Sequence, residues 1–144
     1  MYIREMTIDG IPSVRKIGDN APELSVSEEN TPFWGEARLT SWVAAKQDVM
    51  IVAEENGEVI GFQITQIHSP SQTGYLSDVA VVESARGKGV GSALIQSALE
   101  RMRKMGITYV YALTQTDNTK IHRLLTKYGL QKQEAMTWFD ADLQ

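Results

Sequence analysis

Apolar positions along this chain follow two different periods, one typical of strands and one typical of helices. The middle of the chain contains three runs rich in β-branched and aromatic residues, and short turns separate them. This arrangement predicts an antiparallel meander of three strands. The first turn contains Asn56-Gly57, a pair that favours tight hairpins. We predict the strands over Val49–Ala53, Val59–Ile67 and Tyr75–Val82.

A long helical pattern follows the meander. Apolar residues recur every three or four positions from Val90 to Met105, which predicts an amphipathic helix with a wide buried face. Gly106 comes directly after this helix, where glycine commonly ends helices. The next apolar run, Ile107–Leu113, predicts a strand parallel to the one that precedes the helix.

The two ends of the chain are less regular. Met1–Met6 predicts a first strand, and Asp9 is placed to cap a helix over Gly10–Gly18. The remaining predictions are a loop, two helices and a last strand, over Asp19–Pro32, Phe33–Lys46, Lys120–Tyr128 and Glu134–Leu143. The element order βααβββαβαβ predicts an α+β fold, with a mixed and mostly antiparallel central sheet flanked by helices, built as a single domain from residues 1–144.

Composition narrows the class of protein. Hydrophobic content of 42% and charged content of 22% are ordinary for a globular chain. Zero cysteines exclude disulfides, a thiolate nucleophile and a zinc–sulfur site, and the two histidines, His68 and His122, lie too far apart to suggest a metal pair. A net charge of −4 argues against nucleic acid as a partner. Without a long apolar run or a signal-peptide pattern, we expect a cytoplasmic protein with no membrane segment and no metal.

The run Arg86–Ser92 joins the strand Tyr75–Val82 to the long helix. Its three glycines and its serine leave backbone N–H groups unobstructed at a helix N-terminus, which favours binding of an anion such as phosphate. The alternative is a glycine-rich turn that only changes the chain direction. The glycine spacing matches neither the phosphate loop of nucleotide triphosphatases nor the dinucleotide fingerprint.

The pattern Arg86-x-x-Gly89-x-Gly91, preceded by a strand, resembles motif A of the GCN5-related N-acetyltransferases (GNAT), which reads Gln/Arg-x-x-Gly-x-Gly/Ala. The segment from Asn118 to Gly129-Leu130 is similar to the family's second helix segment, in which Asn opens the helix and Gly closes it. Together these features cover residues 75–130, and the predicted element order agrees with the family over the whole chain.

The resemblance implies an N-acetyltransferase that uses acetyl-CoA and transfers the acetyl group to a primary amine by direct attack in a ternary complex. It implies that loop N–H groups hold the pyrophosphate, that a strand edge binds the pantetheine arm, and that Asn118 reaches the cofactor near that arm. The implied cofactor-binding residues are Val79, Ala80, Val81, Arg86, Gly87, Lys88, Gly89, Val90, Gly91, Ser92 and Asn118.

An alkyl amine with a pKa of about 10.4 must lose a proton before it attacks a thioester. Asp78, the only acid in its strand, is the candidate base, and a purely structural strand carboxylate is the alternative. Glu134 and Asp140 are more distant candidates. Many family members carry a tyrosine as general acid, but Leu125 occupies that position here. Tyr128 is the remaining acid candidate, against the alternative of an aromatic side chain that packs at the helix end.

The sequence is compatible with more than one acceptor for the acetyl group. The resemblance favours a small-molecule amine, and the alternatives are a protein or peptide acceptor, through an N-terminus or lysine, and a non-catalytic module that senses acyl-CoA. Dimers are common in the family, so a homodimer is also considered. In such folds the acceptor cleft is bordered by segments that here contain Trp34, Trp42, Tyr75 and Trp138.

Overall fold

A computed structural model describes residues 1–24 and 32–144. Five strands form one sheet in the order β1-β2-β3-β4-β5, and all neighbours are antiparallel except β4 and β5, which are parallel. The strands are β1 (Tyr2–Glu5), β2 (Val49–Glu55), β3 (Glu58–His68), β4 (Thr73–Val81) and β5 (Tyr109–Ala112).

The described residues also contain four α-helices: α1 (Ile11–Asp19), α2 (Glu36–Ala45), α3 (Val90–Lys104) and α4 (Thr119–Lys127). Short 3-10 turns lie at Ile8–Gly10, Pro22–Leu24, Ser69–Ser71 and Glu83–Ala85.

The helices bury two separate apolar faces of the sheet. On one face, residues of α1 and α2 such as Val14 and Leu39 pack with Phe62 and Ile64 of β3. On the other face, the apolar stripe of α3, including Leu94, packs against β2, β4 and β5. Because side chains of a strand alternate between faces, neighbouring buried residues of a strand contribute to different cores, as Val52 and Ala53 of β2 do.

The predicted meander, its Asn56-Gly57 turn and the parallel β4–β5 pair are all present in the structure. The predicted helix start is wrong in one detail: Asp9 lies in a 3-10 turn and Gly10 occupies the N-cap of α1 without a side-chain cap. Asp9 lies one residue too early to cap a helix that begins at Ile11. Of the predicted loop over 19–32, residues 25–31 lie outside the described part of the chain.

The predicted last strand is wrong. Residues 131–144 carry no secondary structure and are exposed along their whole length. The segment contains strand-favouring residues such as Trp138 and Phe139, but a strand also needs a neighbouring backbone for its hydrogen bonds. Within residues 1–24 and 32–144, no strand lies alongside Glu134–Leu143.

Candidate functional site

The glycine run forms an open loop between β4 and α3. Gly87 and Gly89 have φ angles of 74° and 83°, in the left-handed region that glycine adopts without strain, and Gly89 is the N-cap of α3. A Cβ atom at either position would meet no atom within 4 Å, so these glycines are required by backbone conformation and not by crowding. The guanidinium Nε of Arg86 donates to the carbonyl oxygen of Val81 at 3.1 Å, which ties the loop to the end of β4.

The first turn of α3 is suited to an anion. The N–H groups at a helix start have no carbonyl partner within the helix, and they carry the positive end of its dipole. Here Val90, Gly91 and Ser92 form that first turn. At Gly91 an added Cβ would lie 3.5 Å from Leu124, an ordinary contact distance. The loop and first turn therefore have the geometry that a phosphate group requires.

Helix α4 reaches the same turn with its C-terminal end. The hydroxyl of Tyr128 is hydrogen-bonded to that of Ser92, and Lys127 Nζ donates to Ser92 Oγ at 3.3 Å. Lys127 Nζ also lies 5.4 Å from the centroid of the Tyr128 ring. Tyr128, the candidate acid, thus lies beside the first turn of α3, and Lys127 brings a cation to that turn.

At the other end of α4, Asn118 is the N-cap. Its Oδ1 accepts a hydrogen bond from the backbone N–H of Ile121 at 3.3 Å, so the side chain has a structural role in the start of the helix. Leu125, at the position where the family usually has tyrosine, is partly buried and packs against the apolar core on the α3 side of the sheet. His122 lies close by, with Nε2 2.7 Å from Thr114 Oγ1.

Strand β5 ends half-way along β4. Their pairing begins at Thr73 and ends where Leu76 pairs with Ala112, whereas β4 continues to Val81. In the described residues, no strand pairs with this side of β4 beyond Leu76. The backbone of Val79, Ala80 and Val81 therefore forms an unpaired strand edge, an opening in the sheet that runs towards the glycine loop.

A β-bulge marks the start of this opening. Ile64 of β3 pairs with Asp78 and Thr65 pairs with Leu76, so Ser77 is an extra residue in β4. Leu76 packs on the α3 side, whereas Asp78 reaches Trp34 on the α1–α2 side. The bulge therefore turns Asp78 towards the face opposite to Leu76, just beyond the point where β5 ends.

Asp78 is partly buried and has two side-chain donors. Ser77 Oγ lies 2.9 Å and Trp34 Nε1 lies 3.4 Å from its Oδ2. Burial raises the pKa of Asp78 above the usual carboxyl value, and the hydrogen bonds from Ser77 and Trp34 only partly oppose that effect. A carboxyl group with a raised pKa, set beside an opening, is a candidate to take a proton from a substrate.

Aromatic side chains surround Asp78. The Trp34 ring packs edge-to-face on Trp42, with centroids 5.5 Å apart. The Tyr75 ring stacks on Tyr111 of β5 at 4.9 Å and an interplanar angle of 8°. Burial raises the pKa of Tyr75, and the charge of Asp78 raises it further.

Of the four aromatic residues that the sequence associated with the cleft, Trp34 and Tyr75 lie near Asp78, and Trp42 supports Trp34. Trp138 instead lies in the exposed segment 131–144 and donates to Asp140. The sequence reasoning missed Tyr111 and Ser77. The parallel register of β4 and β5 offers a signal for Tyr111, whereas the bulge at Ser77 has no signal in the pattern.

A family model described as Acetyltransferase (GNAT) family matches residues 20–130. The chain belongs to this family. GNAT acetyltransferases use acetyl-CoA as co-substrate.

Two curated relatives and one solved structure illustrate the similarity. The chain is 32% identical over 95 residues to mycothiol acetyltransferase of Amycolatopsis mediterranei (strain U-32), a match that covers 61% of this chain and 32% of that protein. It is 32% identical over 103 residues to the uncharacterized N-acetyltransferase YhfO of Bacillus subtilis (strain 168), which covers 67% of this chain and 68% of that one.

The crystal structure of ribosomal-protein-alanine N-acetyltransferase from Brucella melitensis has the same fold, with a TM-score of 0.78 at 23% identity, and the match covers 90% of this chain and 83% of that one. The chain spans only 32% of the length of the mycothiol acetyltransferase that it matches.

Two further observations concern the described residues, 1–24 and 32–144. They contain no cluster of three or more His, Cys, Asp or Glu side chains that could hold a metal ion. They also contain no helix with the length and apolar character needed to cross a bilayer, and α3, the longest, has 15 residues.

Proposed function

We propose that residues 1–144 act as one domain that transfers an acetyl group from acetyl-CoA to a primary amine of a small molecule. One observation carries the proposal: β5 ends beside Leu76 and leaves the edge of β4 unpaired, with a phosphate-type loop at one end of this opening and Asp78 at the other. An extended molecule with an anionic end and a reactive end fits such an opening.

In this proposal the loop and the first turn of α3 hold the pyrophosphate of acetyl-CoA through backbone N–H groups. The edge of β4 beyond the bulge binds the pantetheine arm as a neighbouring strand would. Asn118, at the start of α4, contacts the same arm. The proposed cofactor-binding residues are Val79, Ala80, Val81, Arg86, Gly87, Lys88, Gly89, Val90, Gly91, Ser92 and Asn118.

Asp78 acts as the general base. Asp78 takes one proton from the bound ammonium, and the free amine nitrogen attacks the thioester carbonyl. A C–N bond forms, the C–S bond breaks, and the second proton that the nitrogen loses passes to solvent. CoA leaves as a thiolate that is protonated by solvent, because Leu125 cannot donate a proton. The chain contains no cysteine, so a covalent acetyl-cysteine route is absent from this proposal. Tyr128 lies beside Ser92 at the phosphate end, which favours a positioning role over that of acid.

The test is release of free thiol from acetyl-CoA with a panel of alkyl amines, polyamines, amino acids, aminoglycosides and peptides. Since the chain contains no cysteine, a thiol reagent detects only CoA. We expect amine-dependent release, and Asp78→Asn should slow it by roughly 10²- to 10⁴-fold, the usual contribution of a general base. Calorimetry with acetyl-CoA should give the same affinity for both proteins.

A second candidate is a module that binds acyl-CoA without catalysis. The apolar side chain of Leu125, packed against the core at the position where a tyrosine acid is usual, favours it. Binding of acetyl-CoA with no amine raising thiol release above hydrolysis supports this second candidate and contradicts the first. Turnover of peptides in preference to small amines would instead identify a peptide acceptor.

A further inference from the structure

The bulge at Ser77 changes which side chains of β4 share a face. In a regular strand, Tyr75 and Asp78 are three positions apart and point to opposite faces. Here the extra residue, Ser77, shifts the alternation of β4 side chains by one position. Leu76 packs on the α3 side, so Tyr75 lies on the other face, and Asp78 reaches Trp34 on that same face. Tyr75 and Asp78 therefore stand side by side at the start of the opening.

Tyr111 extends this surface onto β5. Val110 and Ala112 pack on the α3 side, so Tyr111 lies on the face of Tyr75, its partner in the parallel register. The two ring centroids are 4.9 Å apart in a stacked arrangement, and Tyr111 is 40% exposed to solvent. Aromatic surface is thus exposed at the pair Tyr75–Tyr111, one position before the last β4–β5 pair, Leu76–Ala112.

We propose that Tyr75 and Tyr111 form the wall of an acceptor subsite beside Asp78, which takes a primary ammonium group carried on an apolar or aromatic stem. This inference rests on the proposed function, because it assigns the acceptor of that reaction. Tyr75 and Tyr111 are specificity-determining residues in this scheme, and Asp78 receives the proton.

The chemistry of this tyrosine wall explains why an ammonium group on an apolar or aromatic stem is preferred. Aromatic faces carry partial negative charge and attract cations, and they also stack on flat or apolar groups. The ionised carboxylate of Asp78 adds attraction for the ammonium. A carboxylate on the reacting end would meet both the ring faces and Asp78, so it is disfavoured.

One cation lies near this surface. The guanidinium of Arg38 stands over the Trp34 ring, 5.9 Å from its centroid. Arg38 is the group that would attract a carboxylate, so an anionic probe is the informative counterpart of the amine. Benzylamine, benzyl alcohol and benzoate share one aromatic ring and differ in charge.

The experiment titrates the full chain with these three probes, without acetyl-CoA, and follows the backbone amides of β4 and β5 by NMR. At about pH 8 the carboxyl group of benzoate is ionised and the amino group of benzylamine is still protonated. We expect benzylamine to bind at least about fivefold more tightly than benzyl alcohol or benzoate, a typical range for a cation on an aromatic face. The variants Tyr111→Leu and Tyr75→Leu should each reduce that preference.

Tyr2→Leu is the matched control. Tyr2 is an exposed strand tyrosine, 57% accessible, on β1 at the opposite edge of the sheet. It should leave benzylamine binding unchanged, and circular dichroism should show that all three variants keep the fold. Equal binding of benzoate and benzylamine, or equal behaviour of Tyr111→Leu and Tyr2→Leu, would overturn the subsite.

The outcome for the subsite is separable from that for the reaction. Selective binding of benzylamine without any amine-dependent thiol release removes the proposed acetyl transfer and keeps the subsite. Thiol release with amines whose KM does not respond to Tyr111→Leu keeps the transfer and removes the subsite.

Discussion

The indole Nε1 of Trp34 donates a hydrogen bond to Oδ2 of Asp78 across 3.4 Å, from a position 44 residues earlier in the chain. The bond joins the segment before α2 to the bulged part of β4. Ser77 donates to the same oxygen from the neighbouring position. Two donors on one carboxylate oxygen stabilise the ionised form, while burial favours the protonated form. The balance between them sets the pH at which Asp78 can accept a proton.

Removal of the indole donor should shift that balance. In Trp34→Phe the aromatic ring remains but the N–H is lost, so the pKa of Asp78 rises further above the usual carboxyl value. If Asp78 is the base, it must be ionised in the free enzyme, and the acidic limb of kcat/KM for the amine should move to higher pH. A pH profile of thiol release measures the shift.

Trp42→Phe supplies the control, because Trp42 Nε1 donates to a different carboxylate, Asp48 Oδ2, at 2.6 Å. Loss of that bond should lower stability by about 0.5–1.5 kcal/mol or more and leave the pH profile in place. An acidic limb that stays fixed in Trp34→Phe, or moves equally in both variants, would exclude the proposed link between Trp34 and Asp78.

Asp78 should also make the fold less stable at neutral pH. Its folded pKa lies above the unfolded value, so the folded state binds this proton more tightly, and stability decreases as pH rises through the interval between the two values. Asp78→Asn cannot ionise and can still accept from Ser77 or Trp34. Its melting temperature should therefore exceed that of the wild type at neutral pH, and the difference should shrink as pH falls.

Thermal unfolding across a pH series tests this expectation. Asp140→Asn, in the exposed segment 131–144, is the control and should change stability little at any pH. A melting temperature of Asp78→Asn below that of the wild type at every pH would mean that the carboxylate stabilises the fold.

Much of the fold could be predicted because it depends on local pattern. The three-strand meander, the amphipathic stripe of α3 and the parallel strand after it each have a clear period, and each is found. The last strand could not be predicted in this way, because a strand also depends on a neighbouring backbone. Glu134–Leu143 has the composition of a strand but no strand beside it in the described chain.

The candidate site was likewise predictable only where it depends on a local sequence pattern. The glycine loop is a contiguous pattern, and its place between β4 and α3 follows from the sequence alone. The environment of Asp78 does not, because it depends on a one-residue bulge at Ser77 and on Trp34 from a distant segment. The contact of Tyr75 with Tyr111 likewise depends on the register of two strands that α3 separates in the chain.

The cofactor loop can be tested at Gly91. Its φ lies outside the left-handed region, and an added Cβ would meet Leu124 at an ordinary 3.5 Å, so a side chain here is compatible with the fold. Gly91→Val should block close approach of a phosphate to the first turn of α3. Loss of even one hydrogen bond to a charged group, about 1.5–3 kcal/mol, corresponds to roughly tenfold weaker acetyl-CoA binding or more.

Gln96→Val places the same β-branched residue at an exposed position of α3 and controls for its effect on the helix. Calorimetry should give normal acetyl-CoA affinity for Gln96→Val and a strong loss for Gly91→Val. Unchanged affinity in Gly91→Val would argue that the pyrophosphate is held elsewhere.

Asn118 offers a way to separate a structural role from a binding role. Its Oδ1 caps α4, and an aspartate at the same position can do this equally well, whereas it lacks the amide N–H donor. Asn118→Ala should cost about 1 kcal/mol of stability through the lost cap. Asn118→Asp should keep the stability but weaken acetyl-CoA binding, if the amide contacts the pantetheine arm. Equal affinity of Asn118→Asp and the wild type would leave Asn118 with the cap alone.

The role of Tyr128 can be tested by one substitution, because its hydroxyl is hydrogen-bonded to that of Ser92 at the first turn of α3. Tyr128→Phe removes only that hydroxyl. If Tyr128 supports the phosphate end of the site, unfolding should become easier by about 0.5–1.5 kcal/mol and acetyl-CoA should bind several-fold more weakly, with kcat retained. Tyr109→Phe, at an exposed tyrosine of β5, should change neither quantity. A large loss of kcat at unchanged acetyl-CoA affinity would instead assign Tyr128 as the general acid, and its hydrogen bond to Ser92 would then have to break in the ternary complex.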